Sequence, residues 1–223
     1  MNLLHLLVLA TMLVFSSFSS AGATDMQETE LVSADGRTVK VGITRPDGAG
    51  PFPVVVLQRG NGGSIEQYRK ALPRYARNGF LAVAINASVG REEVDYAADR
   101  IKQVIEILKT RQDVKPDRIG LWGLSNGGAA ALTFVEKNKV QALVLYAPAV
   151  QRAPEAETIV GLPVLFLHGT QDTVITDSAA KSYYENVAVV NKQASFKLLD
   201  GKGHSWDSDV MTESIAFFKE YLK

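Results

Sequence analysis

Short apolar runs alternate with longer segments of helical periodicity along most of the chain. The alternation begins with a predicted hairpin over residues 29–44, where Asp35-Gly36 separates two strand-like runs, as is typical of two-residue turns. Continuous apolar runs then predict buried strands, because a parallel strand covered on both faces shows no polar alternation. Val54–Leu57 is such a run, and Ile119–Leu124 is interpreted as a short buried strand. Further strands are predicted over Phe80–Ile85, Val140–Tyr146, Val164–His168 and Ser195–Leu199.

Helices are predicted between these strands. A capping-box pattern from Ser64 to Gln67 opens a helix that runs to about Asn78, where Gly79 closes it. Apolar spacing marks a helix over residues 94–108, which Pro116 ends, and a closing helix with Met211, Ile215, Phe218 and Leu222 on one face. Two more helices are predicted, from Asn126 to about Lys137 and from about Asp177 to Val190.

This order of elements predicts an α/β fold. Strands that alternate with helices form a mostly parallel sheet covered on both faces. We expect about eight strands, a leading antiparallel hairpin and no large cap domain.

The N-terminal segment departs from this alternation. Residues 3–15 are largely apolar, and a small-residue stretch ending in Ala21-Gly-Ala23 follows, which is typical of a secretory signal peptide cleaved after Ala23. An uncleaved anchor is the alternative, since no Lys or Arg precedes the run, but the run is shorter than the ~20 residues that span a bilayer. We therefore expect a signal peptide over residues 1–23, one domain over residues 24–223, secreted or periplasmic location, and no stable membrane insertion after cleavage.

Composition narrows the class of partner. The 24 basic and 24 acidic residues balance, which gives no electrostatic attraction for nucleic acid or anionic membrane. The chain contains no cysteine, which favours a bacterial periplasm or a disulfide-free core. No cluster of metal ligands stands out, so neither a metal nor another cofactor is expected. The sequence carries no signal for oligomeric state.

The strongest chemical signal is the run Gly123-Leu-Ser125-Asn-Gly127, which has the form of a nucleophile elbow between a strand and a helix. In so tight a turn the residues two before and two after the serine approach each other, which favours glycine at both. The following helix directs its free N–H groups toward negative charge that develops beside Ser125. Because the chain has 18 glycines, the motif can arise by chance, and its strand and helix context carries the prediction.

A serine hydroxyl needs a base, normally an imidazole oriented by a carboxylate. His204 lies in a polar loop after the last strand and is the predicted base, with a solvated loop histidine as the alternative. His168 lies inside an apolar run and is interpreted as structural. Asp172 directly follows a strand, at the same sheet edge as Ser125, and is the predicted acid. The other acids considered are Asp177, interpreted as a helix N-cap, Glu155 and Glu157, interpreted as solvent-facing, and Asp200, interpreted as a turn residue.

An oxyanion hole needs two N–H donors directed at the developing charge. The backbone N–H of Asn126, at the start of the helix, is the first predicted donor. The second is predicted to be the backbone N–H of Asn61 in the glycine-rich loop after residue 57, with Gly60 as the alternative.

Three motifs together resemble α/β-hydrolases of the dienelactone hydrolase and prolyl-oligopeptidase-like group. They are the elbow at 123–127, the His168-Gly-x-x-Asp172 run and Gly203-His204. The resemblance covers nearly all of the chain after residue 23 and implies a serine hydrolase that forms an acyl-enzyme. Two positions depart from the group: dienelactone hydrolases proper use a cysteine nucleophile, which this chain lacks, and the common His-Gly of the oxyanion loop reads Arg59-Gly60.

Other residues bear on the substrate. Arg59 either holds a substrate carboxylate by a bidentate contact or pairs with a neighbouring acid at the base of its loop. Tyr146 and Trp206 line the acyl or leaving-group pocket in one interpretation and are plain packing in the other. The segment 147–161 is too short and too charged for an apolar lipase lid, which favours small esters, thioesters or lactones.

Two further functions remain open at this point. A small peptidase or an acyltransferase could use the same three side chains. A binding protein could keep the fold without turnover, because a fold does not determine a function.

Overall fold

The computed structural model describes residues 25–62 and 64–223, so the predicted signal peptide lies outside the described residues. Eight strands form one sheet. They are β1 (Gln27–Val32), β2 (Thr38–Thr44), β3 (Phe52–Gln58), β4 (Leu81–Ile85), β5 (Val114–Leu124), β6 (Ala142–Tyr146), β7 (Val164–Gly169) and β8 (Ala194–Leu199). Their spatial order is β1-β2-β4-β3-β5-β6-β7-β8.

Helices lie on both faces of the sheet. They are α1 (Glu66–Arg69), α2 (Leu72–Arg77), α3 (Val94–Lys109), α4 (Asn126–Lys137), α5 (Asp177–Val190) and α6 (Ser208–Leu222). Short 3-10 turns cover Arg91–Glu93 and Ala156–Ile159. The strands from β4 to β8 in spatial order are parallel, whereas β1 and β2 are antiparallel. The predicted fold class is therefore confirmed.

The inner strands β3, β4, β6 and β7 are buried on both faces, whereas the edge strands β1 and β8 are largely exposed. Successive side chains of a strand point to opposite faces. Val54 and Val56 accordingly pack with α3 and α4, and Val55 and Leu57 pack with α1, α2 and α6. The carboxyl ends of the parallel strands then share one edge, where the candidate site lies.

The predicted helix over residues 64–78 is wrong in its continuity, because the chain forms α1 and α2 with a break at Lys70-Ala71. Pro73 occupies the start of α2 and has no backbone N–H to continue the hydrogen-bond ladder of α1. The capping box is also absent: Ile65 is the N-cap residue, and no side chain caps α1. Gly79 does close the segment, with a φ of 84°.

Other boundaries also differ from the predictions. The fifth strand begins at Val114 rather than Ile119 and contains Pro116, so α3 ends at Lys109 without help from that proline. The hairpin connection spans residues 33–37 rather than two residues, since Ser33 N–H donates to the Arg37 carbonyl. The N-cap residue of α5 is Thr176, and Asp177 is the first helical residue.

None of the helices in the described ranges is long and apolar enough to span a bilayer.

Candidate active site

Ser125 occupies a strained turn between β5 and α4. Its φ of 56° makes it one of two non-glycine residues with positive φ in the part of the chain that the structure describes, together with Ala147 at 43°. Such strain in a non-glycine residue is concentrated at functional sites.

The glycines of the elbow leave no room for side chains. A Cβ on Gly123 would lie 2.6 Å from the Gly127 carbonyl oxygen, and a Cβ on Gly127 would lie 2.3 Å from the Gln58 carbonyl oxygen. Both distances are below van der Waals contact, so only glycine fits. The close approach expected of the motif is thus present on both sides of Ser125.

The structure brings Asp172 and His204 together. Asp172 Oδ2 lies 2.7 Å from His204 Nδ1, and the Asp172 side chain is fully buried. Because a carboxylate accepts, Nδ1 carries the proton in this contact and Nε2 is left free to take one. This is the tautomer that a general base requires.

The surroundings of Asp172 favour its ionised form. Burial raises the pKa of the Asp172 carboxyl. Hydrogen bonds from the Ile175 amide, the His204 imidazole and the Val174 amide together lower this pKa by more than burial raises it, so the pKa lies below the ordinary value. The two amides donate to Oδ1 at 2.9 and 2.8 Å. Asp172 is therefore an ionised acceptor oriented toward His204.

No hydrogen bond joins Ser125 to His204 among the described residues. Catalytic hydrogen bonds are often long before substrate binds and tighten only in the complex. The roles of Ser125, Asp172 and His204 remain predictions. The structure shows the contact between Asp172 and His204.

His168 lies beside the acid. Its Nε2 is 2.9 Å from the Ile175 carbonyl oxygen and 3.4 Å from Asp172 Oδ2. Both neighbours are acceptors, so Nε2 carries a proton. The imidazole is fully buried, which fits the structural interpretation of this histidine.

The loop that carries His204 is anchored on both sides. The Tyr146 hydroxyl donates a hydrogen bond to the Gly203 carbonyl. The Trp206 ring packs 4.9 Å from the Tyr68 ring and 4.8 Å from the Trp122 ring, measured between centroids. These contacts place Tyr146 and Trp206 in the support of the loop, and their predicted role in lining a substrate pocket remains a prediction.

The predicted oxyanion donors lie close to Ser125. A Cβ on Gly60 would lie 2.7 Å from Ser125 Cβ and 3.1 Å from Asn126 N, so the loop after β3 contacts the elbow directly. In the described part of the chain, the backbone N–H groups of Asn61 and Asn126 have no hydrogen-bond partner. Both are thus available to an incoming anion, whereas the Gly62 N–H is occupied by Ser88 Oγ at 2.9 Å.

Arg59 is buried in the same loop, with 6% of its surface exposed. Its Nε and Nη1 have no hydrogen-bond partner, and none of the described acids forms an ion pair with it. The expected pairing with a neighbouring acid is therefore not formed there. Burial raises the pKa of the Tyr68 hydroxyl and the Arg59 charge lowers it, which locates the guanidinium near Tyr68. Its predicted contact with a substrate carboxylate remains a prediction.

Sequence reasoning missed Ser88 and Val89, which contact the oxyanion loop. It also missed the Asn126 side chain, which donates to the Val89 carbonyl at 3.1 Å. No catalytic motif marks these residues, and their only signal for such a role is their position shortly after a strand at the edge that holds Ser125.

The described residues contain no group of three His, Cys, Asp or Glu side chains that could hold a metal ion. A strained serine, an oriented imidazole and free amide donors at one sheet edge can carry out acyl transfer through a covalent intermediate.

The eight-stranded sheet, the elbow after β5 and the acid after β7 define an α/β-hydrolase. Within that class, the chain belongs to the dienelactone hydrolase family, whose model matches residues 85–216. It is a hydrolase. No curated protein sequence matches the chain significantly.

Solved structures share the fold at low sequence identity. An esterase of Pyrococcus furiosus aligns with a TM-score of 0.74 and 16% identity, covering 90% of this chain and 94% of that one. A thermophilic esterase of Thermogutta terrifontis, bound to butyrate, aligns with a TM-score of 0.68 and 20% identity, covering 88% and 94%. Dipeptidyl peptidase 4 of Porphyromonas gingivalis aligns with a TM-score of 0.66 and 16% identity, and 88% of this chain corresponds to 35% of that one.

Proposed function

We propose that the protein is a serine esterase that cleaves small esters, thioesters or lactones through an acyl-enzyme. The observation that carries this proposal is the 2.7 Å contact between Asp172 and His204 at the sheet edge that holds the strained Ser125. The family to which the chain belongs supports it. Since the chain has no cysteine, Ser125 takes the place of the cysteine nucleophile of dienelactone hydrolases proper.

The reaction begins when His204 Nε2 takes the proton of the Ser125 hydroxyl as its oxygen attacks the ester carbonyl. Asp172 holds the imidazole in the required tautomer and stabilises the imidazolium that forms. The amides of Asn126 and Asn61 donate to the oxyanion of the tetrahedral intermediate. His204 then gives its proton to the leaving alcohol, and water releases the acid by the reverse sequence.

Hydrolysis of p-nitrophenyl acetate and butyrate by the purified protein tests the proposal. We expect release of p-nitrophenol by the wild-type protein and a loss of at least about a thousandfold in both Ser125→Ala and His204→Ala. A fluorophosphonate probe should label the wild type and leave Ser125→Ala unlabelled. Activity that survives in both variants would refute the mechanism.

We also propose that the protein is exported and that its signal peptide is cleaved after Ala23. The small-residue pattern at residues 21–23 and the preceding apolar run support this.

A further inference from the structure

The turn after β4 binds the loop that carries the predicted second oxyanion donor. Val89 N–H donates to the Gly60 carbonyl at 3.1 Å, and Ser88 Oγ donates to the same oxygen at 3.4 Å. Ser88 Oγ also accepts from the Gly62 N–H at 2.9 Å. Since a hydroxyl can donate once and accept twice, one side chain satisfies the peptide groups on both sides of Asn61.

These hydrogen bonds also determine the direction of the Asn61 N–H, because of the geometry of the peptide unit. The Gly60 carbonyl and the Asn61 N–H belong to one planar trans peptide unit, so they point in opposite directions. Hydrogen bonds from Val89 and Ser88 to the carbonyl therefore hold the Asn61 N–H on the side away from the turn. The same peptide unit begins at Gly60, which lies against Ser125.

The first oxyanion donor is tied to the same turn. Asn126 Nδ2 donates to the Val89 carbonyl at 3.1 Å. Val89 is fully buried, and its two backbone groups contact Gly60 on one side and Asn126 on the other. Gln58 Nε2 adds a hydrogen bond to the Ala87 carbonyl at 2.9 Å, which ties the end of β3 to the same turn.

We propose that Ser88 is a positioning residue of the oxyanion hole, and that with Val89 and the Asn126 side chain it preorganises the Asn61 and Asn126 amides. This inference rests on the proposed function. Preorganised donors stabilise the transition state because they need no reorganisation when the charge develops. Loss of the anchoring should therefore weaken binding of the transition state and leave binding of the ground-state ester almost unchanged.

The variants are Ser88→Ala, Ser88→Thr and the control Ser182→Ala, which removes a hydroxyl from an exposed position on α5. Complete loss of an oxyanion donor lowers kcat by about 10²–10³-fold, so we expect Ser88→Ala, which only loosens one, to lower kcat for p-nitrophenyl butyrate by about ten- to a hundredfold. KM should stay within about twofold. Butylboronic acid mimics the tetrahedral intermediate. Its inhibition constant should rise by the same factor by which kcat falls. Ser88→Thr keeps the hydroxyl and should recover most of both losses, and Ser182→Ala should match the wild type.

A second variant guards against a misfolded Ser88→Ala protein. Asn126→Ala removes the side-chain contact with Val89 and keeps the backbone donor, so it should also lower kcat and boronate affinity together. Circular dichroism and thermal unfolding report on the fold of each variant. Wild-type kcat and boronate affinity in a folded Ser88→Ala or Asn126→Ala protein would overturn the inference alone, as would a rise in KM without a fall in kcat. A wild-type protein that neither hydrolyses esters nor binds the boronate would overturn the proposed function together with it.

Discussion

Both oxygens of the Asp172 carboxylate accept hydrogen bonds inside the protein. The Val174 and Ile175 amides donate to Oδ1, and His204 Nδ1 donates to Oδ2. A residue that merely ended a turn would need only the two amides. The third contact, to an imidazole in a loop more than thirty residues away, is what an orienting acid requires.

Replacement of Asp172 by Asn keeps the shape of the side chain and removes its charge. We expect kcat for p-nitrophenyl butyrate to fall by about 10³–10⁴-fold, because the amide group no longer enforces the tautomer that leaves Nε2 free. Ester hydrolysis by the purified variant checks this result. A loss of less than about tenfold would contradict the assignment of Asp172 as the orienting acid.

The same variant should change how stability depends on pH. Since the folded-state pKa of Asp172 lies below its ordinary value of 3.8, ionised Asp172 stabilises the native protein above that value. The contribution is lost as pH falls through the lowered folded-state pKa. The stability advantage of the wild type over Asp172→Asn, measured by urea unfolding, should therefore be larger near pH ~7 than near pH ~3. Ser125→Ala, which keeps every carboxylate, should retain the wild-type pH dependence.

Arg59 presents a buried cation with two unpartnered nitrogens in the described part of the chain. An uncompensated buried charge is costly, so a ligand that pairs with it gains affinity. If that ligand is a substrate carboxylate, Arg59→Ala should lower kcat/KM for mono-p-nitrophenyl succinate by about ten- to a hundredfold. The matched neutral ester, p-nitrophenyl butyrate, should lose much less.

The exposed Arg37→Ala variant serves as the control for the Arg59 comparison, since it removes a charge distant in sequence from the loop. Equal losses on the charged and the neutral ester would show that Arg59 supports the loop and does not bind a carboxylate.

At the scale of elements, the sequence pattern predicted the ends of a helix where neighbouring residues alone determine them. The helices α4 and α5 begin and end close to the predicted residues because each lies between two clearly marked strands. The predicted helix over residues 64–78 was broken because Pro73 interrupts a ladder that apolar spacing alone does not reveal.

The candidate site divides in the same way. Ser125, Asp172 and His204 could be proposed from sequence because each lies in a short motif next to a strand. The support from Ser88 and Val89 could not, because it depends on β4 lying directly beside β3 in the sheet. Twenty-eight residues separate Ser88 from Gly60, and nothing in the apolar pattern states which strands are neighbours.

Contacts with neighbouring elements also restrict the polar loop that carries the predicted base, His204. Lys202 forms ion pairs with Asp207 at 2.7 Å and with Asp209 at 2.5 Å. Asp207 also accepts hydrogen bonds from the first amides of α6, so the loop ends on a capped helix. His204 therefore lies between two anchored ends, and these contacts restrict the polar loop.

At the scale of the whole molecule, the segment between β6 and β7 packs against α5 and the residue that follows it. Asn191 Nδ2 donates to the Ile159 and Leu162 carbonyls at 2.7 and 2.8 Å, and the Tyr183 hydroxyl donates to the Pro154 carbonyl at 2.9 Å. These contacts hold the segment on α5. Because these hydrogen bonds hold the segment against α5, it is poorly placed to cover a long acyl chain as an apolar lid.

Substrate length tests this view of the molecule. An acyl chain that finds no apolar cover stays in water and gains no binding free energy from added methylenes. We therefore expect kcat/KM to be highest for p-nitrophenyl acetate or butyrate and at least about tenfold lower for the laurate, with no jump in rate when the ester forms micelles. Initial rates across the acetate, butyrate, octanoate and laurate series, with Ser125→Ala as the blank, measure this. A rate that rises steadily toward the laurate would contradict the prediction, because it would require an apolar surface that the docked segment between β6 and β7 does not provide.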